Sequence, residues 1–382
     1  VTFVGAAEVG ILGGGQLGRL LALAAHGLGL RPLVLDPDPE CAASAVAPTI
    51  RADYRDADAL ARLGRCSVVT CGLAAVPPAA IRTLSEFVPV RPGPDALART
   101  RDRWLERRLL ERLDIPTPRC RAVDSEQDLL AAATALGWPS VLKPRSLGHA
   151  ERGHRLLGSE QDLAGGWREL GGQPLVLEEF VAFDREVSIV AVRSMSGEVR
   201  FWAPTENRHV DGVLRIARAP APHLDEDALA LAQKRVATLL TALEHVGVLA
   251  VGFFVEGRKW IANQVACGVH DSGNWTLGGA ATSQFENHLR AIAGLPLGST
   301  RCVEPSAMVN LIGGLPSPET VLSVPWARLH VYGEAPAPGR KLGHITVSAP
   351  TFSEAEGELG TLVQRLDDPS LLQALEPVGP PC

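Results

Sequence analysis

The sequence predicts a chain of mixed class: an α/β, doubly wound region over the first hundred residues, then an α+β region of antiparallel strands. Three observations carry this expectation. Short apolar runs alternate with helical stretches in the first part, the pattern of a parallel sheet with crossover helices. The run Pro92-Gly93-Pro94 then interrupts that alternation. Beyond it, β-rich runs follow one another with few helices between them.

In order, Val9-Gly10-Ile11-Leu12 reads as a strand, Gln16 to Leu28 as a helix, Pro32 to Leu35 as a strand and Cys66 to Thr70 as another. Arg99 to Leu113 reads as one charged amphipathic helix, ended by Ile115-Pro116-Thr117-Pro118. Val141-Leu142-Lys143 and Leu175 to Val181 read as strands around a glycine-containing turn and a helix. Glu186 to Val192, Val199 to Ala203 and Leu249 to Val255 continue the antiparallel region, and Ala280 to Ile292 reads as a helix. Pro336-Ala337-Pro338-Gly339 introduces a last hairpin, with Ile345 to Ser348 as its strand. The tail after about Asp367 is expected to be loosely held.

Length and composition fit a multidomain globular chain. The 382 residues suggest two or three domains, and 46% hydrophobic against 21% charged residues supplies a large core. A net charge of -6 gives no electrostatic footprint for nucleic acid. The seven cysteines lack C-x-x-C spacing and are odd in number, so a reducing, cytoplasmic compartment is expected, without a disulfide framework or zinc site. The apolar start is broken by Glu8, Gln16, Arg19 and glycines, so neither a signal peptide nor a membrane span is expected.

Gly13, Gly15 and Gly18 form G-x-G-x-x-G after the first strand, with Asp36 ending the second. The spacing admits three readings: a dinucleotide site with Asp36 on a ribose, a tight turn that lets the helix pack, or a helix N-terminus holding one phosphate of another ligand.

The rest of the chain favours the last reading. Gly10 to Arg19, Leu35-Asp36-Pro37-Asp38, Asp102-Arg103, Ile115 to Pro118, Glu178-Glu179-Phe180-Val181 and Arg185-Glu186-Val187-Ser188 resemble blocks of N5-carboxyaminoimidazole ribonucleotide synthetase. The resemblance continues in order through Glu206-Asn207, Ser283 to Glu286, Met308 to Leu311 and Gly339 to His344. It implies an ATP-grasp fold: an N-terminal ribonucleotide-binding domain over residues 1–103, a lid over 104–177, an ATP-grasp core with a C-terminal hairpin region over 178–355, and a tail over 356–382. It also implies a homodimer that uses ATP, with Mg²⁺, to activate bicarbonate and carboxylate 5-aminoimidazole ribonucleotide.

Residue by residue, the resemblance assigns Arg103 and Lys143 to nucleotide phosphates and Glu178, Glu179, Phe180 and Val181 to the adenine hinge. It puts Glu186 on the ribose hydroxyls, His209 on the nucleotide, and Asn263 and Gln264 at the metal end of the site. Gly15, Gln16, Leu17, Arg340 and Lys341 are similar to the grip on the substrate 5'-phosphate, and His270 and Lys341 take catalytic places.

The chain departs from that pattern wherever the chemistry needs charge. Gly252 and Gln264 stand where two metal-binding glutamates are expected, so no metal ligand is assigned and Mg²⁺ use is in doubt. The phosphate loop reads Gly148-His149-Ala150-Glu151-Arg152-Gly153, with Ala150 in place of an aspartate. Gly268 replaces an arginine and Asp271 an asparagine in the bicarbonate segment, and Cys71-Gly72-Leu73-Ala74-Ala75 lacks the acid for the substrate ribose. Asp271 is the candidate for a relocated metal ligand, whereas Glu256 lies too far along its strand. Loss of charge at positions where charge develops predicts impaired catalysis on an intact scaffold. Gly252→Glu, Gln264→Glu, Ala150→Asp and Gly268→Arg would be the restoring changes, with Gly252→Glu expected to bring a strained, buried acid.

Overall fold

The computed structural model describes residues 7–72, 76–146 and 153–376. The phosphate-loop positions 148–152, Leu73 to Ala75 and residues 377–382 lie outside them.

The N-terminal sheet holds four parallel strands, β1 (Glu8–Leu12), β2 (Arg31–Asp36), β3 (Thr49–Arg51) and β4 (Val68–Cys71), in the order β3-β2-β1-β4. Four strands rather than six separate it from a complete dinucleotide fold. Val9, Ile11 and Leu12 of the central strand are fully buried, because helices cover both faces of a parallel sheet. Gly13 turns the chain at φ +95°, and a side chain on Gly18 would overlap the Gly13 carbonyl oxygen. These glycines let the helix Gln16–Gly27 start against the strand end.

Next comes a four-stranded antiparallel sheet of β5 (Cys120–Val123), β6 (Ser140–Pro144), β7 (Arg155–Leu157) and β8 (Leu175–Glu179), ordered β5-β8-β6-β7. The helices Glu126–Leu136 and Leu163–Leu170 pack on it around Leu142, Leu157, Leu175 and Leu177.

The third sheet has nine antiparallel strands: β9 (Arg185–Arg193), β10 (Val199–Phe201), β11 (Thr205–Val210), β12 (Val213–Ala219), β13 (Gly247–Glu256), β14 (Lys259–Cys267), β15 (Ser306–Ile312), β16 (Ala327–Val331) and β17 (Lys341–Ser348). They run β14-β13-β9-β11-β12-β15-β17-β16, with β10 on β9. A parallel N-terminal sheet followed by two antiparallel sheets is the order of elements expected from the sequence.

Three local expectations need correction. Arg99 to Leu113 is two helices, Pro94–Arg101 and Arg103–Arg112, because Asp102 adopts extended backbone and caps the second through the Leu105 N–H at 3.1 Å. The helix expected from Ala280 begins at Gln284, capped by Ser283 on the Glu286 N–H. The tail is held as far as it is described. Phe352–Leu366 and Pro369–Leu375 are helices with Leu359, Leu362 and Leu371 buried, and Arg215 and Arg218 pair with Asp368 and Glu356. Burying each such leucine contributes about 1.5–3 kcal/mol towards holding the tail. Among the described residues no helix is long and apolar enough to cross a membrane.

Candidate active site

On the nucleotide side, Lys143 on β6 and Glu178 on β8 meet at 2.6 Å, because the antiparallel register sets Val141 opposite Glu178. Glu178 is buried and also accepts from Arg107 Nε at 2.8 Å. Arg107 donates in turn to Glu106 at 2.6 Å and to the Asn263 carbonyl oxygen at 2.5 Å. Burial alone would raise the Glu178 carboxyl, but Arg107 and Lys143 hold it at about 2. Burial pushes Lys143 and Arg103 below their usual ranges, opposed in both cases by Glu178.

Glu178 is therefore an internal counter-ion rather than a free carboxylate. Glu179 points the other way, accepting from the Arg119 N–H and guanidinium. In the hinge, the Glu179 and Phe180 N–H groups are taken by the Arg119 and Pro139 carbonyl oxygens. Val181 follows with its main chain outside any strand. Glu186 on β9 and His209 on β11 come together at 3.2 Å. Arg103 Nε and Asn263 Oδ1 are buried with no hydrogen-bond partner among the described residues, the state expected of groups that a ligand satisfies. Lys143 and Arg103 are thus partly buried cations at the lid, and Val181 of the hinge leaves its main chain outside the sheet ladder.

The metal end does not fit a divalent cation. Gly252 on β13 and Gln264 on β14 are direct register partners, with a bulge immediately after Gly252. One offers no side chain and the other only an amide, where a hard cation needs carboxylate oxygen. Glu256 closes β13 exposed beside Lys259. Asp271, the candidate for a relocated metal ligand, has its Oδ2 paired with Lys341 Nζ, and its Oδ1 accepts from Gln16 Nε2 at 3.3 Å. Burial acts to raise the Asp271 carboxyl, yet Lys341 keeps it below its usual value.

On the acceptor side, Gly15 precedes the helix that starts with Gln16, and Leu17 packs its side chain on the core. Arg340 donates to the Ala335 carbonyl at 3.0 Å and lies 3.9 Å from Glu334. His270 Nδ1 shares a hydrogen bond of 2.8 Å with Ser272 Oγ, and burial lowers its pKa. Gln284 fixes this segment, accepting from the His270 N–H at 3.0 Å and donating to its carbonyl at 2.6 Å. Gly268 has φ +142°, a conformation that side chains rarely adopt.

Asp36 is spent on its own domain. Its Oδ2 accepts from the Gly14 N–H at 2.6 Å and the Tyr54 hydroxyl at 2.8 Å, so it is not free for a dinucleotide ribose. Glu106, Arg107 and Gln284 were missed by sequence reasoning. Glu106 shares a helix face with Leu109 and Leu110, three and four residues on, and that spacing was the available signal.

Comparison with known proteins agrees with this architecture. Residues 6–100 match the ribonucleotide synthetase preATP-grasp domain, 108–285 the ATP-grasp domain, and 306–358 the phosphoribosylaminoimidazole carboxylase C-terminal domain. The chain is 46% identical over 341 residues to the N5-carboxyaminoimidazole ribonucleotide synthase of Pseudomonas aeruginosa, covering 89% of this chain and 94% of that one. The crystal structure of the Thermus thermophilus synthetase superposes with a TM-score of 0.90 at 44% identity, over 94% and 99% of the two chains. An Aspergillus clavatus synthase in complex with ADP and 5-aminoimidazole ribonucleotide gives 0.87 at 31% identity, over 95% and 99%. With three collinear domain matches and relatives aligned over nine-tenths of its length, this chain belongs to the N5-carboxyaminoimidazole ribonucleotide synthase family.

Proposed function

We propose that this chain binds an adenine nucleotide between the lid and the large sheet, but carboxylates 5-aminoimidazole ribonucleotide with bicarbonate very slowly or not at all. The observation that carries this reading is the facing pair Gly252 and Gln264, which puts no carboxylate at either of the two positions expected to hold a metal. Arg103, Lys143, the Glu178-to-Val181 hinge, Glu186, His209 and Asn263 would hold the nucleotide. A Mg²⁺ ion would ordinarily neutralise charge on the transferring phosphoryl group, and among the described residues Arg103 and Lys143 would take that task. Gln16, Lys341 and Arg340 would face the substrate phosphate, and His270 would lie at the bicarbonate end. The purine-pathway setting, a homodimer and a cytoplasmic location are proposed with the family reading.

A working synthetase with relocated ligands is the second reading. It is weakened by Asp271, which is engaged by Lys341 and Gln16 rather than left for a metal. The test is phosphate release from ATP that depends on both 5-aminoimidazole ribonucleotide and bicarbonate. None above background is expected. Turnover on the order of 1 s⁻¹, ordinary for an enzyme, would overturn the proposal.

A further inference from the structure

Asp271 stands where the resemblance leads one to expect an asparagine, and its two oxygens are divided between two elements. Oδ2 pairs with Lys341 Nζ at the start of β17, and Oδ1 accepts from Gln16 Nε2 at the start of the first helix. Gln16 and Lys341 are two of the groups assigned to the substrate phosphate. We propose that Asp271 fills this anion cradle from within the chain, so that a phosphate monoester binds only by displacing its carboxylate. The inference rests on reading Gln16 and Lys341 as a phosphate grip.

The carboxylate is held firmly in place. Asp271 opens a short 3-10 turn, Asp271–Gly273, whose neighbours Ser272, Asn274 and Trp275 are fully buried. The preceding residue is clamped on both main-chain groups by Gln284. Swinging Asp271 away by backbone motion would break those bonds, so displacement needs the side chain to leave Lys341. The second cation of the grip is also matched by an acid, since Arg340 faces Glu334 at 3.9 Å. Two cations against two acids leave no excess positive charge for a dianion. An asparagine at 271 would leave Lys341 without its counter-charge while keeping an acceptor for Gln16, and so would restore an anion site.

The test is calorimetric titration of the full chain with ribose 5-phosphate and, separately, inorganic phosphate. Asp271→Asn should bind ribose 5-phosphate at least about tenfold more tightly than the unmodified chain, as removal of one adjacent charge predicts. Adding Lys341→Gln should abolish the gain, and Asp271→Glu should keep the site closed. A gain for ribose 5-phosphate alone assigns the site to a sugar phosphate; an equal gain for inorganic phosphate assigns it to phosphate itself. Equal, measurable affinity in the unmodified chain and Asp271→Asn would overturn the inference while sparing the grip. No binding to a folded Asp271→Asn would overturn the grip reading and the inference with it. Should Asp271→Asn fail to fold, acetylation of Lys341 in the unmodified chain, followed by mass spectrometry, decides. Millimolar ribose 5-phosphate should leave its rate unchanged, and protection at micromolar concentration would overturn the proposal.

Discussion

Gly252 and Gln264 face each other across β13 and β14, and a Cβ added at 252 would have the Gln264 carbonyl oxygen, at 4.0 Å, as its nearest described neighbour. Gly252 is half-buried and has no positive φ, so its backbone admits a side chain.

Room at this pair makes the metal end rebuildable. Mg²⁺ is ordinarily held by one or two carboxylates together with phosphate oxygens. Gly252→Glu with Gln264→Glu should make ATP affinity rise about tenfold or more on adding Mg²⁺, a gain of about 1.4 kcal/mol or more. The unmodified chain and each single change should respond less. Calorimetric titration with and without a chelator checks this; strong Mg²⁺ dependence in the unmodified chain would contradict it.

Gly268 behaves oppositely. At φ +142° any side chain is strained, at a cost of about 1–3 kcal/mol. Gly268→Arg, which the sequence suggested as a way to restore the bicarbonate anchor, should therefore lower the thermal midpoint. Gly252→Glu, at a compatible backbone, should change it far less. Equal midpoints for the two variants would refute the argument.

Glu178 neutralises the buried Arg107 and the partly buried Lys143. Glu178→Gln should destabilise the chain by about 3–5 kcal/mol, the usual cost of leaving buried charge unpaired. The sign with pH follows from its carboxyl, lowered from 4.5 to about 2 on folding. The stabilisation is complete above pH 4.5 and is lost as pH falls towards 2. Urea midpoints should therefore be lower for Glu178→Gln at neutral pH, with the difference shrinking in acid. A constant difference would show that the pair does not act through charge.

His288 is a second source of acid sensitivity. The Val248 N–H donates to its Nδ1 at 3.0 Å, so the neutral ring carries its proton on Nε2, 2.8 Å from the Thr70 hydroxyl. Burial lowers its pKa from 6.5 to about 3, so the unfolded chain binds the proton first. Stability is complete above pH 6.5 and declines below it, by up to about 1.4 kcal/mol per pH unit for one proton. His288→Gln should flatten the decline of the thermal midpoint in this range. An unchanged slope would assign it elsewhere, for example to His245, lowered to about 4 by burial.

The sequence by itself determined the local elements and their order. The glycine turn after β1 and the alternation that makes a parallel sheet were readable because turn chemistry and periodicity act over a few residues, and the collinear blocks from Gly10 to His344 were readable by resemblance. Helix boundaries at Asp102 and Ser283 were less readable, since a capping side chain overrode an otherwise continuous helical pattern. Only tertiary structure decided what the charged residues do. Lys341 finds Asp271 across 70 positions, Gln16 finds it across 255, and Arg107 finds Glu178 across 71. Such pairs depend on which strands lie side by side and on how the helix Gln16–Gly27 approaches β17. For the same reason, Asp36, a ribose ligand under only one of the three readings of the glycine spacing, is seen to be a brace for Gly14 and Tyr54 only in the folded chain. Burial then makes each of these pairings obligatory, because a charge withdrawn from water must be matched within reach.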